Sequence, residues 1–155
     1  MYCINDIDRI LIPDFEIEKR VGELGNQIKR DYAALKTPPI LLGVLRGGFV
    51  FLADLARAVD LPVEIDLISL SSYGGGTESG GDVRLVKDLD RSVEGRHVLV
   101  VEDIIDTGVT LQFLLGLLKA RDPASVKLCA LLDKPSRRKV DLQADYTGFT
   151  VPDEF

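Results

Sequence analysis

Apolar residues along this chain fall into two kinds of run, one at helical spacing and one continuous, and the two alternate. From Asp14 to about Leu35, Ile17, Val21, Leu24 and Ile28 recur at helical spacing, and the segment stops before Thr37-Pro38-Pro39, since a residue preceding proline is pushed out of the helical region. An amphipathic first helix is expected there. Ile40 to Leu45 (ILLGVL) reads as a buried strand, Arg46-Gly47-Gly48 as a turn, and Phe49, Leu52, Ala53 and Ala56 as one face of a second helix. Val63 to Leu70 (VEIDLISL) predicts another strand. It empties into SSYGGGTESGG, whose glycines and small polar residues cannot support a packed element and so predict a mobile loop. After a short strand near Val83 to Val86, His97 to Asp103 (HVLVVED) has the continuous apolar character of a central parallel strand. Leu111, Leu114, Leu115 and Leu118 form the next helix face, and Val126 to Leu132 (VKLCALL) closes a second βαβ unit.

This alternation predicts an α/β fold, a twisted, mostly parallel sheet flanked by helices on both faces. At 155 residues, 46% of them hydrophobic, the whole of 1–155 reads as a single domain. In such sheets ligands bind outside the carboxyl ends of the strands. Function is therefore expected in the loops after Leu45, Leu70, Val101 and Leu132. The net charge of -6 and the scattered Lys and Arg residues argue against a nucleic-acid surface, although a small anion could bind locally. Cys3 and Cys129 are too few and too far apart for a disulfide framework or a CxxC metal site. The amino terminus MYCINDIDRI has neither a basic nor an apolar leader region, and no later stretch would span a bilayer. A soluble, cytoplasmic protein with no membrane partner is the expectation.

The segment Val98 to Thr110, VLVVEDIIDTGVT, carries the most chemistry. Glu102 and Asp103 stand where a hydrophobic strand ends, and Asp106-Thr107-Gly108-Val109-Thr110 leads into the next helix. Free amides at a helix start, a permissive glycine and two threonine hydroxyls make a socket for a phosphate monoester. Neither the Walker loop nor the GxGxxG dinucleotide pattern is present. Asp-Thr-Gly is also an ordinary helix-capping turn, and it is the two acids before it that favour a ligand site. Successive strand residues face opposite ways, so both acids serve one site only if the chain turns there or one of them acts through water.

These residues resemble the signature of the type I phosphoribosyltransferases, and the wording EDIIDTGVT, LLDKPSRR and VPDEF is similar to the hypoxanthine-guanine branch across nearly the whole chain. The resemblance implies purine salvage: transfer of the 5-phosphoribosyl group from phosphoribosyl pyrophosphate (PRPP) to hypoxanthine or guanine, giving IMP or GMP and pyrophosphate. A regulator of the same fold that senses PRPP or nucleotide, and an enzyme preferring xanthine, are the alternatives. It implies that Glu102 and Asp103 hold the ribose hydroxyls and Mg2+, that Asp106 is the general base near purine N7, and that Asp106, Thr107, Gly108, Val109 and Thr110 cradle the 5'-phosphate. It implies a pyrophosphate loop at Leu45, Arg46 and Gly47 with a non-proline cis peptide between the first two. Many relatives carry lysine where Arg46 stands here, which alters geometry more than charge.

Ser72 and Tyr73 fall in the family's catalytic lid, which would exclude water from the reacting sugar. Lys134 would donate to the 6-oxo group and leave adenine's amino group without an acceptor, at about 1–3 kcal/mol. Phe155 would stack on the purine and Ile104 would offer it an apolar face or serve the core. Arg137 and Arg138 read as a solvated basic surface. A small hood from the termini and a homodimer or homotetramer complete what the resemblance implies. The sequence ends at Phe155, where relatives continue for another strand and loop that contact the purine 2-position, so a C-terminal piece is expected to be missing.

Overall fold

Two near-continuous apolar segments, β1 (Ile40–Leu45) and β4 (His97–Ile105), pair in parallel at the centre of the sheet. The computed structural model describes residues 9–73 and 82–153. Around that central pair stand β2 (Glu64–Tyr73), β3 (Asp82–Lys87), β5 (Ser125–Asp133) and β6 (Tyr146–Thr150), in the order β3-β2-β1-β4-β5-β6. Among the described strands only β3 runs antiparallel, as the second arm of a hairpin with β2. The mostly parallel α/β sheet expected from the alternating pattern is present.

Helices α1 (Asp14–Tyr32) and α2 (Phe49–Val59) cover one face and α3 (Val109–Lys119) the other. Alternation along β1 sorts its side chains accordingly: Leu41 packs under α1 and α2, and Ile40, Leu42 and Val44 pack towards α3. Val21, Leu24 and Ile28 are the buried stripe of α1, as the spacing predicts. In α2 the buried face is Phe51, Leu52, Leu55 and Val59, and Phe49 and Ala53 point to solvent. Leu52 and Ala56 face the core as expected, and the expected phase is corrected at Phe49 and Ala53. FVFLADLARAV is apolar nearly all round, so periodicity alone does not choose which side meets the sheet.

Three further differences come from pairing. Ser71, Ser72 and Tyr73 belong to β2 and not to a loop, because β3 zips onto them in antiparallel register. β4 runs on to Ile105, two residues beyond the expected end at Asp103. β6 was not anticipated at all; it is a short edge strand held parallel to β5. Of the expected lid, residues 74–81 lie outside the described residues. So do residues 1–8 and 154–155 of the expected hood, Phe155 among them.

Candidate active site

The chain leaves β1 in one direction to form β2 and returns on the other side as β4, so the crevice between the ends of β1 and β4 is a topological switch point. Both loops there are made to approach closely. The Leu45-Arg46 peptide is cis, Gly47 follows, and Gly48 opens α2. A Cβ on Gly47 would lie 2.7 Å from Asp103 Cγ, and one on Gly48 would lie 3.0 Å from the carbonyl oxygens of Val44 and Val101. The glycines thus let the backbone of the Leu45 to Gly47 loop rest against the acid pair. Arg46 is exposed beside it.

Glu102 and Asp103 come together despite their places on neighbouring strand positions. Leu99 and Val101 pack towards α1 and α2, yet Ile105 packs towards α3, so the strict alternation of faces breaks between 101 and 105. The Asp103 amide donates to Glu102 Oε1 at 3.2 Å, and the Ile104 amide donates to Asp103 Oδ1 at 2.8 Å. Burial pushes the Glu102 carboxyl up to about 9, and the hydrogen bond to Asp103 and the charge of that carboxylate push the same way. Two crowded carboxylates of one sign are costly unless a proton or a cation stands between them.

Beyond β4 the backbone of residues 105–108 has an asymmetry. Its carbonyls are taken up: Ile105 O accepts from the Lys134 amide at 2.9 Å, Asp106 O from Arg138 Nε at 3.1 Å, and Thr107 O from the Lys139 amide at 2.9 Å. Gly108 O accepts from the Gln112 amide in the first turn of α3. Its amides are not. Among the described residues no acceptor is found for the N–H groups of Asp106, Thr107, Gly108 or Thr110, and Val109 has only Thr107 Oγ1 at a marginal 3.5 Å. No side chain caps α3. Gly108 sits at φ 80°, and a Cβ there would meet Val140 Cγ2 at 2.9 Å. A turn whose acceptors are satisfied and whose donors are spare, at the positive end of a helix, suits an anion.

Asp106 presents a half-open carboxylate, and its buried Oδ1 has no hydrogen-bond partner among the described residues. Arg137 Nε approaches that oxygen at 3.5 Å. Lys134, just past the end of β5, is only 4% exposed, and its ammonium meets Asp153 Oδ1 at 3.3 Å. Asp153 Oδ2 in turn lies 3.6 Å from Arg137, so Lys134, Asp153, Arg137 and Asp106 form a line of alternating charge. Ile104 is half-buried between the two acids and the turn.

Arg138 is not surface. Its side chain is 14% exposed and is paired with Asp133, because the carbonyls of Asp106 and Leu142 and the Asp133 carboxylate all turn towards it. Neither the burial of Arg138 nor the part played by Asp153 is marked in the sequence beyond their places inside LLDKPSRR and VPDEF. The Leu45 to Gly47 loop, the acid pair, the 106–110 turn and the start of the Lys134 segment are brought to one edge. Ser72 and Tyr73 continue β2 beyond Ser69, the register partner of Leu45, with their side chains outside what is described. A groove of about 660 Å³ between α1 and α2 is lined by none of these residues.

The model of the phosphoribosyl transferase domain matches residues 13–155. The hypoxanthine-guanine phosphoribosyltransferase of Bacillus subtilis is 48% identical over 151 residues, covering 97% of this chain and 83% of that protein. The hypoxanthine phosphoribosyltransferase of Escherichia coli K12 is 47% identical over 146 residues, 94% of this chain and 82% of that one. Among solved structures, a hypoxanthine phosphoribosyltransferase from Staphylococcus aureus superposes with a TM-score of 0.92 at 42% identity, covering 97% of this chain and 81% of the other.

Proposed function

This chain belongs to the phosphoribosyl transferase family, and on that premise we propose that it is a purine-salvage enzyme joining hypoxanthine or guanine to the 5-phosphoribosyl group of PRPP, with release of pyrophosphate. The observation that carries this is the turn after β4, with its carbonyls consumed and its amides spare, standing next to an acid pair on a glycine-lined loop. The 5'-phosphate is taken by the amides and hydroxyls of residues 106–110, and the ribose hydroxyls by Glu102 and Asp103. Leu45, Arg46 and Gly47, with Ser72 and Tyr73, receive the pyrophosphate.

The bond from purine N9 to C1' forms as the bond from C1' to pyrophosphate breaks, and the purine gives up a proton. Asp106 takes it, since its buried oxygen has no hydrogen bond of its own to lose. Lys134 donates to the 6-oxo group, with Ile104 and Phe155 against the ring. A buried ammonium cannot satisfy adenine's amino group, which sets the choice of base. The adjacent Glu102 and Asp103 carboxylates, the first held well above the usual carboxylate range by burial and by its neighbour, are a hard-oxygen set that would suit Mg2+. When bound, the ion would supply neutralisation of the charge on the departing pyrophosphate.

We read residues 1–155 as one domain, and assign Phe49 and Val50, 56% and 55% exposed next to the pyrophosphate loop, to contact with a second copy in a homodimer or homotetramer. The deciding experiment follows ultraviolet absorbance with PRPP, magnesium and each base in turn. Nucleotide is expected from hypoxanthine or guanine and not from adenine. Product from adenine alone would overturn the assignment of Lys134, and binding of PRPP with no product from any base would make the chain a sensor.

A further inference from the structure

Asp106 is held in an unusual way for a residue placed at the reacting centre. Its carboxylate has no hydrogen-bond partner among the described residues, and the nearest cation, Arg137, is half exposed at 3.5 Å. Side-chain contacts therefore do little to fix where that carboxylate points. Its backbone is fixed instead. The Asp106 carbonyl accepts from Arg138 Nε at 3.1 Å, and the same guanidinium is tied through its two terminal nitrogens to the Leu142 carbonyl and the Asp133 carboxylate. The stem of Arg138 also lies under the turn, with Cδ 3.0 Å from where a Cβ on Gly108 would stand.

From this geometry we infer that Arg138 is a positioning residue for the transfer reaction: a rigid fork that clamps the Asp106 main chain to the end of β5 and so sets the aim of a carboxylate whose one side-chain contact among the described residues is the half-exposed Arg137. The inference rests on the reading of Asp106 as the proton acceptor. A guanidinium suits the task because its planar N–H groups reach spread-out acceptors at fixed angles, whereas the three donors of an ammonium radiate from a single atom on a flexible stem. Clamping the carbonyl also keeps the neighbouring amides turned outwards, where the phosphate is read. Arg138 itself touches no reacting atom in this account, and Asp133 serves it by balancing its charge in a mostly buried setting.

The test uses the full chain with magnesium, PRPP and hypoxanthine, and compares wild type, Arg138→Ala, Arg138→Lys and Asp106→Asn. Arg138→Ala is expected to lose about 100-fold in kcat, the scale on which a small misplacement of a reacting group acts, with the KM for hypoxanthine within about 3-fold of wild type. Millimolar methylguanidinium is expected to return about 10-fold of that loss to Arg138→Ala and nothing to Asp106→Asn, an outcome that general destabilisation would not produce. If Arg138→Ala does not fold, Arg138→Lys gives the same reading, a lowered kcat at unchanged KM despite retained charge. Wild-type kcat in either folded variant would overturn the inference, as would a loss shared equally between kcat and KM with no rescue. An unchanged rate in Asp106→Asn would instead overturn the underlying role of Asp106, so the two failures are told apart.

Discussion

The two ends of the sheet spend their polar groups differently. At the amino-terminal edge, where α1 ends and β4 to β6 begin, charge meets opposite charge. The Tyr146 hydroxyl donates to Asp31 at 2.6 Å and accepts from Lys127 at 3.2 Å, and Lys127 also lies over the Tyr32 and Tyr146 rings. His97 Nδ1 meets Ser125 Oγ at 2.8 Å, and Arg96 is bound to Glu64 and to the Pro38 carbonyl. Among the described residues the Tyr32 hydroxyl and Arg96 Nε lack partners there, but where like charges meet, as Arg91 and Arg96 do, the Glu64 carboxylate stands between them, and burial pushes the Tyr32 phenol up to about 12, where it stays neutral. At the carboxyl-terminal edge two carboxylates crowd, another has an unsatisfied buried oxygen, and a row of amides is left over. Polar groups that serve the fold come in complementary sets. Those at the proposed site are left incomplete, as groups that a ligand would complete.

That contrast can be broken most decisively at Asp106. Replacing it with Asn is expected to lower turnover by about 100- to 10,000-fold with far less effect on PRPP binding, as measured by initial rates and by titration of the sugar phosphate. An unaltered rate would remove the functional half of the comparison.

Gly108→Ala is the next largest. It forces a side chain into the left-handed region at φ 80° and against Val140, at about 1–3 kcal/mol of stability, and moves the amides that would hold the phosphate. Its KM for PRPP should rise at least about 10-fold while that for hypoxanthine changes little.

Glu102→Gln acts on stability with a sign set by protonation. The Glu102 carboxyl is raised from 4.5 to about 9 in the fold, so between those pH values the folded chain holds more proton than the unfolded one, and stability falls as pH rises through that window. Without magnesium, the Gln variant should match wild type near pH 4.5 and melt several degrees higher at pH 8, a gain of about 1–2 kcal/mol. A variant that melts lower than wild type at pH 8 would show that the two acids do not strain the fold.

Tyr146→Phe closes the series from the other edge. It should cost about 1 kcal/mol of stability by denaturant titration and leave kcat where it was. A large loss of activity there would mean that the amino-terminal edge is coupled to the site.

The words that name the chemistry, EDIIDTGVT and LRGG, are contiguous, and contiguous chemistry is legible because a strand end, a glycine turn and a helix start are local matters of propensity and capping. Hence the acid pair, Asp106 and the alternation of strands and helices could be read from the sequence. The exact phase of α2, the strand character of Ser72 and Tyr73, and β6 were not legible, because each depends on which distant segment covers or pairs with it. Only the tertiary structure took Arg138 from the expected surface to the Asp106 carbonyl and brought Asp153 to Lys134, since a carbonyl 32 residues back and a carboxylate 19 residues on become neighbours only when β4, β5 and β6 lie side by side. Residue order determined what chemistry the loops could do. Long-range packing decided which donors were consumed, which were left over and what held the Asp106 main chain in place.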